Sequence, residues 1–175
     1  MRGFLLGVVF GTAGLATAAA VLLALGRVDL GADRRPFTLE SKLAMNAVDA
    51  WARRGSHGET NPVAPSAENI TAGATLYLNH CAGCHGVPSN PESQFQRSFY
   101  PPAPGFFSEM PDMSAGETFY VIKRGIRWTG MPAWNRTLTD EQIRQIVVFF
   151  DNMHKLPASA AKVFEPVAVN QATPK

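Results

Sequence analysis

The 175-residue sequence holds only two cysteines, three tyrosines and three tryptophans. Both cysteines fall within Cys81-Ala82-Gly83-Cys84-His85, so a structural disulfide framework would have to consume that motif. Net charge is scarce too, since sixteen Lys/Arg against fourteen Asp/Glu leave +2. Met1 to Pro65 carries seven basic and five acidic residues, and Ser66 to Leu156 carries seven and eight. With no arginine-rich stripe and no aromatic-basic interleaving, nucleic acid is excluded as a partner. No internal repeat is present, and no stretch alternates convincingly with the two-residue period of a strand.

What the sequence does have is one long apolar block, Gly3 to Gly26. It contains no charged residue, and Thr12 and Thr17 are its only polar side chains. As a helix rising 1.5 Å per residue, it is long enough to cross a hydrocarbon core of roughly 30 Å. A secretory signal has a shorter apolar core, roughly 7 to 15 residues, followed by a small-residue cleavage site. Here the best such site, Ala24-Leu25-Gly26, lies at the very end of the block. An uncleaved transmembrane anchor over residues 1–27 is therefore the preferred reading, and a cleaved signal the alternative. Gly3, Gly7 and Gly11 stand at a spacing that lets a second membrane helix approach closely, although glycine is common in membrane helices anyway. Arg2 lies on one side of the block and Arg27, Arg34 and Arg35 on the other, diluted by Asp29 and Asp33. Basic residues alone do not place the amino terminus in the cytoplasm.

Residues 28–65 read as a juxtamembrane amphipathic helix and linker. Leu39, Leu43, Ala44, Ala47, Val48 and Trp51 recur at helical spacing from Thr38 to Arg54, with Thr38 as a candidate amino-terminal cap. Such a helix suits a membrane surface, a partner subunit, or the body of the following domain. Gly55 to Pro65 is rich in Gly, Ser, Asn and Pro and reads as linker. Residues 66–156 form the main domain. One helical pattern runs from about Asn69 to His80, and Val87 to Pro104 reads as an ordered loop. Ser114-Ala115-Gly116-Glu117 and Thr139-Asp140-Glu141-Gln142 are capping boxes. The first opens a short helix to about Arg124, and the second a helix with an apolar stripe at Ile143, Ile146, Val147 and Phe150. Residues 157–175 are aperiodic and are expected to be an extended tail. The fold class is all-α, with about three to five helices in the main domain preceded by one transmembrane helix.

Two thiols three positions apart followed at once by histidine suit covalent haem attachment. On a turn of helix, Cys81 and Cys84 can both reach the haem vinyl groups, and His85 is then held under the iron. A dithiol redox pair would normally open a helix after a strand, whereas this motif ends one. A zinc site drawn from His80, Cys81, Cys84 and His85 is too crowded without a distant second pair. For the sixth ligand, Met131 is preferred over Met110, Met113 and Met153. It lies between two expected helices in Gly130-Met131-Pro132-Ala133, where proline fixes the backbone just after the sulfur.

From Asn69 to Leu156 the chain resembles the class I, single-haem bacterial cytochromes c. The resemblance rests on the haem motif, on Gly73 eight residues and Tyr77 four residues before Cys81, and on the run from Tyr120 to Trp134. That run is similar to the methionine-ligand loop of membrane-anchored members. The resemblance implies a cytochrome c-like fold in which the last helix crosses the first, with Val147 and Phe150 as contacts. It implies one covalent haem c held by Cys81, Cys84, His85 and Met131, the last two as iron ligands. It also implies a proline carbonyl, of Pro102 or Pro104, accepting a hydrogen bond from His85. Haem attachment outside the cytoplasm would put the domain in the periplasm, at the inner membrane.

Histidine–methionine ligation raises the iron potential and closes the coordination sphere, which suits one-electron relay rather than catalysis. The expected function is that of an electron carrier, or the cytochrome subunit of a respiratory or oxidoreductase complex, with membrane-bound redox partners. Tethering favours such partners by raising effective concentration. Lys123, Arg124 and Arg127 before the ligand loop could steer an acidic partner, or simply be a solvated helix end. The alternative function is a haem enzyme or small-ligand sensor in which Met131 is displaced.

Overall fold

The computed structural model describes residues 1–110 and 112–165. The chain divides into two units, Met1–Gly31 and Ala32–Lys175. The first holds α1, Arg2–Ala24, none of whose residues is buried. By length and composition it can cross a membrane. Thr12 and Thr17 return their hydroxyls to backbone carbonyls one turn back, at 2.9–3.0 Å, so neither leaves a donor unmet in an apolar surrounding.

The second unit is all-helical among its described residues. It contains α2 (Thr38–Ser56), α3 (Ala67–His80), α4 (Ala82–His85), α5 (Ala115–Arg124), α6 (Asp140–Asp151) and α7 (Ala158–Lys162). Ser66 caps α3 by accepting from the Asn69 amide, so the helix starts slightly earlier than its apolar periodicity indicates. Both capping boxes form, Ser114 with Glu117 on α5 and Thr139 with Gln142 on α6. Each satisfies two backbone donors that a helix start otherwise leaves orphaned. Thr38 makes no such cap; it is the first helical residue of α2, after an uncapped Phe37.

The core is the crossing of α3 with α6. Gly73 makes it possible, because a Cβ there would meet the Gln145 carbonyl oxygen, and the Phe149 Cβ at 2.8 Å. Tyr77, Ile143, Ile146, Val147 and Phe149 are fully buried around this contact. Phe150 stands edge-on to Tyr77 at 5.7 Å, and Phe149 reaches the same ring at 5.2 Å. The buried Tyr77 hydroxyl donates to the Gly86 carbonyl at 2.8 Å, which ties the core to the end of the haem motif.

Two expectations are corrected. Residues 55–65 are not a free linker. The Asn61 side-chain amide donates to the Arg144 carbonyl at 2.8 Å, and Arg144 reaches Glu59 at 3.2 Å. Gly116 admits the Glu59 carbonyl where a side chain would collide. The extended tail expected from Pro157 instead opens with α7, which packs on α3; Ala160 within it and Phe164 just after it are buried. Phe164 joins the aromatic cluster of Tyr77, Phe107 and Phe149. Periodicity could not show this, because a single helical turn carries too few positions. Residues 166–175 of that tail lie outside the described residues.

Of the placements left open for α2, the structure shows contact with the main domain. Trp51 packs on Tyr120 of α5 at 4.8 Å, Ala52 is fully buried, and Gly55 lies against the Tyr120 ring. Near the other end of α2, the Tyr100 hydroxyl donates to Glu40 at 2.7 Å.

Candidate haem-binding site

The site is built where α3 ends. Cys81 breaks the helix, and α4 is the single turn that follows. The Cys84 and His85 amides both donate to the Cys81 carbonyl, at 3.0 and 2.9 Å. This turn places the two sulfurs and the imidazole together on one short, rigid stretch. Gly86, at φ 83°, then turns the chain away, a left-handed conformation that costs glycine little. Ser93 holds the turn from outside by donating to the Cys84 carbonyl at 3.0 Å.

Neither cysteine forms a disulfide; Cys81 is buried and Cys84 half-buried. Burial, and then the neighbouring Cys84, push the Cys81 thiol up to about 12, so it is a neutral thiol at physiological pH. His85 is buried, and its Nδ1 lies 2.8 Å from the Pro104 carbonyl oxygen. A carbonyl only accepts, so Nδ1 carries the hydrogen and donates, which leaves the Nε2 lone pair available. Burial lowers the imidazole pKa while the Pro104 bond opposes it; the net direction favours the neutral ring that metal ligation needs. Phe106 stacks on this ring at 4.3 Å and 10°. Of the two candidate prolines, Pro104 is the one engaged.

Met131 lies in a loop fixed at both ends. Its carbonyl accepts from the Ile126 amide at 3.1 Å, and its amide donates to the Thr129 hydroxyl at 3.1 Å. Thr129 in turn donates to the Ile126 carbonyl at 2.8 Å. Beyond the methionine, Trp134 meets His80 edge-on at 5.3 Å. Met131 is half-buried and packs against the cluster that contains Cys81 and Ala82. Met153 packs against the same cluster, and with Met110 it lines a shallow cavity beside Phe106, Phe107, Ser108 and His154. Among the described residues no three His, Cys, Asp or Glu side chains converge as a metal cluster, and His80 packs against Trp134.

Donor chemistry and geometry thus fit a c-type haem: two cysteine sulfurs on one turn, and a neutral imidazole whose Nδ1 is taken up by Pro104 and whose Nε2 keeps its lone pair. Residues 68–150 match the family model described as cytochrome c oxidase, cbb3-type, subunit III. This region is a class I cytochrome c haem domain. Among curated proteins none matches the chain.

Sequence reasoning missed three parts of the cytochrome domain's site. Phe106, Ser93 and the choice of Pro104 all lie in the loop between α4 and α5, where no periodicity marks which side chains turn inward. The expected basic patch is weaker than its count. Lys123 pairs with Asp140 at 2.7 Å, and Arg127 lies over the Trp128 ring at 5.7 Å.

Proposed function

We propose that Cys81 and Cys84 attach one haem covalently, that His85 and Met131 ligate its iron, and that the chain is a one-electron carrier anchored by α1. On this reading the domain faces the periplasm at the inner membrane, and its redox partners are membrane-bound. It then works either as a tethered carrier or as the cytochrome subunit of an oxidoreductase complex. The observation that carries the reading is the His85–Pro104 hydrogen bond, which sets the tautomer and aims Nε2 away from the loop.

When bound, the haem supplies a reversible one-electron couple. The chain's own residues supply the rest. Pro104 and Phe106 hold the His85 ring in one orientation, so ligation needs little rearrangement. Thr129 and Ile126 hold the Met131 backbone, which lowers the entropy lost when the thioether engages. A site closed by two protein ligands has no position for substrate, and this favours relay over catalysis.

The test is the absorption spectrum of the reduced, haem-loaded chain with and without carbon monoxide. The wild type is expected to keep an unchanged low-spin spectrum, and Met131→Ala is expected to bind the gas and convert. Rapid conversion of the wild type would overturn the closed-site reading in favour of a ligand-binding haem protein. Haem that survives acidic acetone extraction at one per chain checks covalent attachment.

A further inference from the structure

Outside α1, exposed large apolar side chains are concentrated just after it. Leu30 is 85 %, Phe37 82 %, Leu39 69 % and Leu43 62 % exposed. On α2 the pattern has two sides. Ser41, Val48, Ala52, Gly55 and Ser56 turn toward the domain and are half-buried or buried. Leu39, Leu43, Ala47 and Ala50 recur at the same helical spacing on the opposite side, and all are exposed. An ordinary surface helix is apolar on the side it buries and polar on the other. The outward side of α2 therefore carries apolar residues that the domain itself leaves uncovered.

The features of the outward side select the cover. Lys42, Arg53 and Arg54 border it and are exposed. The acidic residue nearest the stripe, Glu40, is engaged by the Tyr100 hydroxyl, and Asp49 is half-buried. An apolar stripe edged by cations is the pattern of a helix that lies in a lipid headgroup layer. The connector from α1, Leu25–Phe37, is at most about 45 Å when fully extended, which bounds how far α2 can lie from a surface that α1 would enter.

We propose that the outward face of α2 lies in the headgroup region of the bilayer, with Leu39 and Leu43 inserted and Lys42, Arg53 and Arg54 on anionic phosphates. This rests on the anchoring by α1 proposed above. The domain is then held at the surface by two elements, a span and an interfacial helix. Because α2 is packed on α5, and α5 leads into the Met131 loop, the cytochrome domain would be presented to membrane-bound partners in a restricted set of orientations.

The experiment uses the full haem-loaded chain in vesicles of phosphatidylethanolamine and phosphatidylglycerol, with or without brominated acyl chains. An environment-sensitive fluorophore is attached in turn to Leu43→Cys, to Leu15→Cys in α1 and to Glu141→Cys on α6. The native cysteines are occupied by haem, so each introduced thiol is unique. The expected result is that the label at 43 loses at least half its emission in brominated lipid, as does the label at 15, while the label at 141 is unaffected. A label on Ala47→Cys should lose at least half of its quenching when Leu39→Asp is added; both positions are exposed, so folding is not at issue. Quenching at 15 without quenching at 43 overturns the inference, leaves the anchor standing and points to a protein as the cover. Absence of quenching at 15 overturns the anchor and the inference with it.

Discussion

His85 Nδ1 donates to the Pro104 carbonyl across 2.8 Å, nineteen residues away along the chain. This bond makes the imidazole a stronger donor, and a stronger donor favours the ferric state. Pro104→Gly frees the backbone φ that aims the carbonyl, so the bond loosens without removing any ligand. The midpoint potential of the haem-loaded protein is expected to rise, by up to about 40 mV for a bond worth about 1 kcal/mol. Potentiometric titration checks this, and an unchanged or lower potential would show that Pro104 does not tune the site.

Gly73→Ala sets two effects against each other. Alanine improves helix propensity by about 1 kcal/mol. Its Cβ would also run into the Gln145 carbonyl and the Phe149 side chain. A backbone carbonyl in a helix cannot turn aside as a flexible side chain can, and overpacking typically costs about 1–3 kcal/mol. We expect the steric effect to win, with a net loss of about 1 kcal/mol by denaturant titration.

Phe164→Ala tests whether the last described turn belongs to the core. The ring is 5 % exposed and lies 5.9 Å from Phe149 and 5.8 Å from Phe107. Large-to-small aromatic substitutions in cores cost about 3–5 kcal/mol, and a position near the end of the domain should fall at the low end. Thermal melting of the variant should shift down together with the haem-band transition. A loss under about 1 kcal/mol would return this segment to the status of a tail.

The Tyr100–Glu40 contact carries a pH dependence. The hydrogen bond to Glu40, followed by desolvation and by the Glu40 charge, raises the Tyr100 pKa above its ordinary value. A raised folded pKa means that the stabilisation is fully present below the unfolded value, about 10, and is lost as pH rises through the folded one. Tyr100 should therefore ionise after the free phenol in an absorbance titration, and earlier in Glu40→Gln. If the two proteins titrate alike, the bond does not hold the start of α2 in solution.

Much of the site was legible from residue order because its geometry is local. Cys81, Cys84 and His85 lie within one turn, so their spacing already dictates that they share a face. The two capping boxes form for the same reason, since a cap and its partner are three residues apart. The preference for Met131 as sixth ligand likewise rests on local order, on the proline that follows it, and it stands as a proposal. The acceptor for His85 was not legible in this way, because Pro102 and Pro104 are equivalent as sequence and only the path of the loop selects one. The status of residues 157–165 failed similarly: α7 owes its place to contacts with α3, some ninety residues earlier, and not to any periodicity of its own.

By itself the sequence determined the haem motif, the apolar length of α1 and the helical character of the domain. Each depends on neighbours within a turn or on composition along one continuous run. Tertiary structure decided the Pro104 partner, the packing of α2 on α5 and the burial of Phe164. Those depend on which distant surfaces meet, and a chain's local spacing carries no record of that until the α3–α6 crossing has formed.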